Sequence, residues 1–223
     1  MKLAIIDFDG TLFPRDTLPF LMEFWLKDGQ SKVKYYLVMA QIMPYYGVYK
    51  LSFGNRKIKE GFRTHALKAF NRIFDGMNGE EVESFLVRAG KEVRKLLRSS
   101  MLDEIGRLRK DGFTTVLLSG AYEHLLKSCT YDIEIDHVIG SKISFVNNVY
   151  RADSGLAIVE GRQKVQVIEK YFNLNEQDWS QACAYGDSIT DVELLKRVGN
   201  PVMVEPDEVL ALTGKQLSWR QID

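Results

Sequence analysis

Two aspartates separated by one residue, Asp7 and Asp9, follow the apolar run Leu3-Ala4-Ile5-Ile6 and precede Gly10-Thr11-Leu12. Residues two apart on a strand project to the same side, so both carboxylates face one way where the run ends. Two anions held that close repel unless a cation or a shared proton relieves them. A polar turn built for its geometry is the plainer reading of these residues alone. Three further groups weigh against it. Leu117-Leu118-Ser119-Gly120 puts a hydroxyl at the tip of an apolar strand, with a glycine that leaves backbone N–H groups open to an anion. Lys164 opens a helix after Glu160-Gly161-Arg162-Gln163, and Tyr185-Gly186-Asp187-Ser188-Ile189-Thr190-Asp191 ends another strand in glycine and two acids. Singly these residues have ordinary roles: Ser119 and Asp187 as helix caps, Lys164 as a solvated lysine. Together they suit the movement of a phosphoryl group through a carboxylate nucleophile with a divalent cation. Such a transition state spreads negative charge over three oxygens and needs a hard cation, a lysine, a hydroxyl and backbone N–H groups around it. Asp7 and Asp187 would supply the oxygens that Mg2+ prefers.

The elements that must position these groups follow from the apolar pattern. Leu3 to Ile6, Thr114 to Leu118, Ala182 to Tyr185 and Pro201 to Val204 read as buried strands. Between them lie helical patterns such as Leu102 to Arg109, closed by Lys110-Asp111-Gly112, and Lys164 to Tyr171. Strand and helix in alternation predict an α/β fold with a doubly wound parallel sheet. Residues 14–90 break the alternation and read as helix after helix, an inserted helical cap on a core made of residues 1–13 and 91–223. The cap's expected helices are Leu18 to Lys27, Ser31 to Met43 broken by Pro44, Asn55 to Phe74, and one opening at Asn78 with Glu81 completing a capping box. The aromatic run Tyr35, Tyr36, Tyr45, Tyr46, Tyr49 and Phe53 is expected to pack as the core of that helical unit, a substrate pocket or a homodimer contact being the alternatives. Two short alternating runs around Asn147-Asn148 predict a β-hairpin appended to the core.

Composition narrows the partners. Thirty basic and thirty acidic residues cancel in 223, so no global field draws the chain to nucleic acid or an anionic membrane. Cys129 and Cys183 stand far apart without metal or redox spacing, which fits thiols buried as small core residues in a reducing compartment. The first strand begins almost at Met1, leaving no room for a signal peptide, and no apolar run reaches the roughly 18 residues of a membrane helix. A soluble, cytoplasmic protein with no stable membrane association is expected.

In order and spacing the four groups resemble the motifs of the haloacid dehalogenase superfamily of phosphatases. Asp7-Phe8-Asp9-Gly10-Thr11 matches its first motif, Ser119 the second, Lys164 the third and Gly186-Asp187-Ser188-Ile189-Thr190-Asp191 the fourth. The helical insertion after motif one, with the late Asn200-Pro201-Val202-Met203-Val204-Glu205-Pro206-Asp207 and Trp219, is similar to the phosphoserine-phosphatase-like branch. The resemblance implies a Mg2+-dependent phosphatase acting on a small phosphorylated metabolite through an aspartyl-phosphate. It makes Asp7 the nucleophile and Asp9 the acid and base, starting protonated with its backbone carbonyl on the metal. Ser119 and Gly120 would hold phosphate oxygens, Lys164 would neutralise Asp7 and the phosphate, and Thr11 would fix the turn or position the nucleophile. Asp187 is implied as a direct metal ligand and Asp191 as a group orienting Lys164 or a metal-bound water. In phosphoserine phosphatases a glutamate after motif one binds the substrate amine; Asp16 stands at that place here, and Arg56, Arg63 and Arg72 are candidates for a carboxylate-binding arginine.

Two other readings use the same residues. A phosphotransferase would pass the phosphoryl group to an acceptor other than water. A receiver-like signalling module also uses Asp, a hydroxyl, Lys and a metal on a parallel sheet, but such a switch has no need of Asp9 or a large cap. A dehalogenase has no evident use for Asp9 and Mg2+.

Overall fold

The computed structural model describes residues 1–51, 56–152, 156–157 and 163–223. The chain opens on β1 (Leu3–Ile6), four apolar residues buried on both faces. Helices α1 (Thr17–Lys27), α2 (Lys32–Lys50) and α3 (Arg56–Asn71) follow, the last running into a 3-10 turn at Arg72–Phe74. Then come α4 (Gly79–Arg94), α5 (Ser99–Lys110), β2 (Thr114–Tyr122), α6 (Glu123–Cys129) and β3 (His137–Ile143). A hairpin of β4 (Phe145–Val146) and β5 (Val149–Tyr150) precedes β6 (Leu156–Ala157), α7 (Gln163–Phe172) and α8 (Glu176–Gln181). The chain ends with β7 (Cys183–Gly186), a 3-10 turn at Ile189–Asp191, α9 (Val192–Arg197), β8 (Asn200–Val204), α10 (Glu208–Gln216) and β9 (Arg220–Ile222).

The seven-stranded sheet has the order β6-β3-β2-β1-β7-β8-β9. Neighbouring strands pair in parallel except β6, which runs antiparallel to β3. Alternation along β1 divides the interior: Ala4 and Ile6 join the aromatic cluster of Trp25, Phe70, Phe74 and Phe85, whereas Leu3 and Ile5 face Ile168, Trp179 and Leu194 on the other side. Both faces are therefore covered, as a parallel sheet requires.

Three expectations need correction. Pro44 does not end its helix: α2 continues to Lys50. The ring removes the N–H that would reach the carbonyl of Ala40, but Ala40 is exposed, so water can satisfy that oxygen. β2 does not stop at Leu118 but runs to Tyr122, with a shift of register against β3 between those residues, so Ser119 and Gly120 sit in an irregular stretch inside the strand. The aromatic run of α2 is not a packed core, since Tyr36 and Tyr45 are exposed and Tyr35 and Tyr46 line a cavity; Phe53 lies outside the described residues.

Other local signals hold. Asn78 Oδ1 accepts from the Glu81 amide and the Asn78 amide donates to Glu81 Oε2, both at 2.9 Å. Asn147 and Asn148 take φ of 50° and 61°, the paired positive values that a two-residue hairpin turn demands. That hairpin is sewn to the start of α4: the Gly79 amide donates to Asn148 O at 3.0 Å and the Tyr150 amide to Met77 O at 2.8 Å. The residue-90 boundary falls within α4, where Gly90 packs against α6; a Cβ there would stand 2.8 Å from Leu125 O.

Candidate active site

The site grows from the seam between β1 and β7. Ile6 pairs with Tyr185 on one side and with Leu117 on the other, which brings the carboxyl ends of β1, β7 and β2 together. Successive strands leave β1 in opposite directions, and such a reversal point is where open α/β sheets bind ligands. The pairing extends past the strand, for the Asp7 amide donates to Tyr185 O at 3.0 Å.

Lys164, at the first turn of α7, reaches into this seam. Its Nζ lies 2.7 Å from Asp7 Oδ1 and 2.6 Å from Asp191 Oδ1, and all three side chains are at most 7 % exposed. Burial alone would lower the lysine, but the Asp191 and Asp7 carboxylates outweigh it and hold the ammonium above the ordinary lysine range. Burial pushes Asp7 up to about 6, with the charge of Asp191 acting the same way and Lys164 opposing both. The seam is thus a buried lysine shared by two acids.

Asp9 is held differently. Its Oδ1 accepts from the Thr17 amide at 3.0 Å and from the Thr17 hydroxyl, so the carboxyl sits at the N-terminus of α1. Burial is the main cause that pushes Asp9 up to about 7, and the charge of Asp16 adds to it; the Thr17 hydroxyl and Arg63 pull the other way. A carboxyl poised there holds a proton at neutral pH and can give it up.

Asp7, Asp187 and Asp191 each offer an oxygen within 4.8 Å of the others. An all-oxygen carboxylate set is the donor chemistry that Mg2+ takes. Gly10 makes room for it: at φ +76°, a Cβ on this residue would lie 2.1 Å from Asp187 Oδ2. The residues present therefore fit the ion. The Asp9 carboxyl stands outside this cluster among the described residues, turned to Thr17, so the expected contact from Asp9 is left to its backbone carbonyl.

Ser119 and Gly120 line the same cavity as Asp7, Asp9, Lys164 and Asp187. The Ser119 hydroxyl accepts from the Ala121 amide at 3.1 Å, which folds the irregular stretch of β2 back on itself. Thr11 is fully buried but is not in the cavity wall, so the structure does not bring it to the phosphate position. Asp16 is at the cavity and pairs with Arg63 at 2.8 Å; Arg63 also reaches Thr190 Oγ1 at 3.4 Å. Of the candidate arginines whose side chains are described, Arg63 is placed at the site and Arg72 is turned to Gln41 Oε1 at 2.9 Å; the Arg56 side chain lies outside the described residues. Thr17 and Thr190 were not singled out by the sequence. Both adjoin motif residues, and an unclaimed hydroxyl beside a motif acid was the available signal.

The family model for haloacid dehalogenase-like hydrolases matches residues 4–196. The chain belongs to that family. This hydrolase is similar to a phosphoserine phosphatase of Lactococcus lactis subsp. lactis, 25% identical over 95 residues, which are 43% of this chain and 44% of the relative. Among solved structures, a protein of unknown function from Bordetella pertussis Tohama I superposes with a TM-score of 0.82 at 18% identity, covering 100% of this chain and 98% of the other. A phospho-aspartyl intermediate analogue of phosphoserine phosphatase does so with a TM-score of 0.57 at 15% identity, covering 95% and 90%. The hydrolase thus shares its parallel sheet and flanking helices with phosphoserine phosphatase structures. No helix of the described residues is long and apolar enough to cross a membrane.

Proposed function

We propose that this hydrolase is a Mg2+-dependent phosphatase that cleaves a small organic phosphomonoester through an aspartyl-phosphate on Asp7. The observation that carries the reading is the division of labour between the two opening acids: Asp7 is bridged to a charged lysine at 2.7 Å, while burial and Asp16 keep Asp9 protonated near neutrality. One carboxylate is equipped to attack, the other to donate.

Asp7 forms a bond to phosphorus as the ester P–O bond breaks, and Asp9 gives its proton to the departing alkoxide. Water then attacks the phosphoaspartate, Asp9 takes the water's proton, and Asp7 and inorganic phosphate are released. Lys164 keeps Asp7 ionised before attack and faces the phosphate oxygens during it; Asp191 holds the ammonium in place. Ser119 and the Gly120 backbone border the position of the transferred group. Asp7, Asp187 and the Asp9 carbonyl would hold Mg2+, with Asp191 beside them; bound there, the ion would offset phosphate charge. The zero net charge of the chain supplies no global field for nucleic acid, which leaves a small phosphorylated metabolite as the substrate class.

The reading is tested by Mg2+-dependent release of phosphate from a generic aryl phosphate. Asp7→Asn should abolish release while leaving the thermal unfolding close to that of the parent. Normal turnover by that variant would remove Asp7 as the nucleophile.

A further inference from the structure

The phosphate end of the site is small and polar, but the cavity it opens into is neither. A volume of about 670 Å³ extends from Asp7 and Ser119 under the cap to Met39, Ile42, Tyr46, Phe62 and Leu67. That is the size range, about 300–1,000 Å³, in which pockets bury a drug-sized molecule. The charged groups at its neck are already matched to each other: Arg63 and Asp16 pair at 2.8 Å, the arginine half-buried and the acid exposed, with the charges of Asp9 and Asp187 also acting on Arg63. A zwitterionic leaving group would compete with this pair for both of its charges. Beyond the neck the wall is chiefly hydrocarbon and aromatic ring, with no lysine among its described residues; its one further acid, Glu23, is 65 % exposed and pairs with Arg15 at 2.7 Å.

The helix that forms this wall is apolar on its other side too. On α2, Val33, Leu37 and Val48 are 60 % exposed or more, and Tyr36 and Tyr45 are exposed beside them. Its charged residues are all lysines, with no acid between Lys32 and Lys50. A helix apolar all round is normally buried in protein or in lipid. Here one side faces a cavity continuous with the phosphate site and the other is bare, and the absence of acids along the helix sets no repulsion against an anionic headgroup surface.

We propose that the leaving group is an apolar chain: the substrate is the phosphomonoester of a long-chain amphiphile, its phosphate at Asp7 and Lys164 and its tail in the cavity beneath α2 and α3. This rests on the phosphatase reading, and the products are the long-chain alcohol and inorganic phosphate. Full burial favours binding by roughly fourfold per methylene, so chain length is the variable that exposes the cavity's role.

The test is calorimetric titration of the Mg2+-loaded enzyme with ethyl-, butyl-, octyl- and dodecylphosphonate, alongside turnover of the matching alkyl phosphates and of phosphoserine. Octylphosphonate should bind at least tenfold more tightly than butylphosphonate, and octyl phosphate should exceed phosphoserine in kcat/KM by at least as much. Met39→Gln makes the wall polar and Ala66→Phe fills it; either should flatten the dependence on length. Equal affinity across the series, or faster turnover of phosphoserine, would overturn the proposal and leave the phosphatase reading standing. Tight, length-dependent phosphonate binding with no ester hydrolysed would instead sink the phosphatase reading. Dodecyl phosphate presented in phosphatidylcholine vesicles and as free monomer separates the two sources: faster turnover from vesicles assigns the substrate to a lipid surface, faster turnover of the monomer to solution.

Discussion

Replacing Glu104 by Gln should cost about 2–3 kcal/mol at pH 7, and the cost should fade in acid. Glu104 lies on α5 beneath the sheet, buried, and its carboxylate accepts from Arg107 Nε and the Arg107 fork at 2.8 Å, from the Tyr185 hydroxyl at 2.7 Å and from Arg220 at 3.1 Å. The Arg107 hydrogen bonds are the main cause that pulls its carboxyl from 4.5 down to about 2, against the effect of burial. Each unit is worth about 1.4 kcal/mol, so the full displacement corresponds to about 3 kcal/mol. Both arginines are about half exposed, and solvent screening reduces the figure toward about 2. The sign follows from a depressed folded value: the contribution is whole above about 4.5 and is lost as pH falls toward about 2. Urea unfolding of the parent and of Glu104→Gln at pH 7 and pH 3 reads the difference directly, with the other carboxyls cancelling between the two proteins. The gap should shrink to less than half at pH 3. A gap of unchanged size at pH 3 would mean that packing, not charge, holds the cluster, and no gap at pH 7 would refute the reasoning outright.

Lys164→Met strips two buried carboxylates of their shared cation, a change that typically costs about 3–5 kcal/mol; thermal scanning should show a melting temperature lower by about 10 °C, at 2–4 °C per kcal/mol for a chain of this size. Gly10→Ala forces a side chain into the left-handed region for about 1–2 kcal/mol and drives its methyl into the Asp187 carboxylate. Titration with Mg2+ should then show affinity weakened at least tenfold, and unchanged affinity would mean that Asp187 is not a ligand.

Much of this structure was written in local signals. The run Leu3-Ala4-Ile5-Ile6 could only be a strand buried on both faces, and the acids after it had to stand at the sheet's edge. Asn78 with Glu81, and the Asn147-Asn148 pair, specify their geometry within four residues and formed it. What escaped depended on distant neighbours. Pro44 stays helical because the carbonyl it orphans belongs to the exposed Ala40, and a proline's cost depends on what surrounds that carbonyl. β6 and β9, two and three residues long, carry no pattern of their own and form because an edge is there to extend. Arg63 could be named as a candidate but not chosen, since its pairing with Asp16 spans 47 positions. The aromatic residues of α2 satisfy the pattern of a packed helix and of a pocket wall equally well, and only the placement of α3 opposite them separates the two.

The amide of Asp7 is committed to Tyr185, one step beyond the last paired residue of β1, in the middle of a sheet with three strands on either side. Hydrogen bonds in central strands are among the last to open, so the backbone that carries Asp7 belongs to the most protected part of the fold. The helices over the cavity lie outside the sheet and are held by side-chain packing, with Leu21, Trp25, Val38 and Phe70 in the core. Substitutions in the cavity wall can therefore change what fits there without touching the backbone hydrogen bonds that position Asp7.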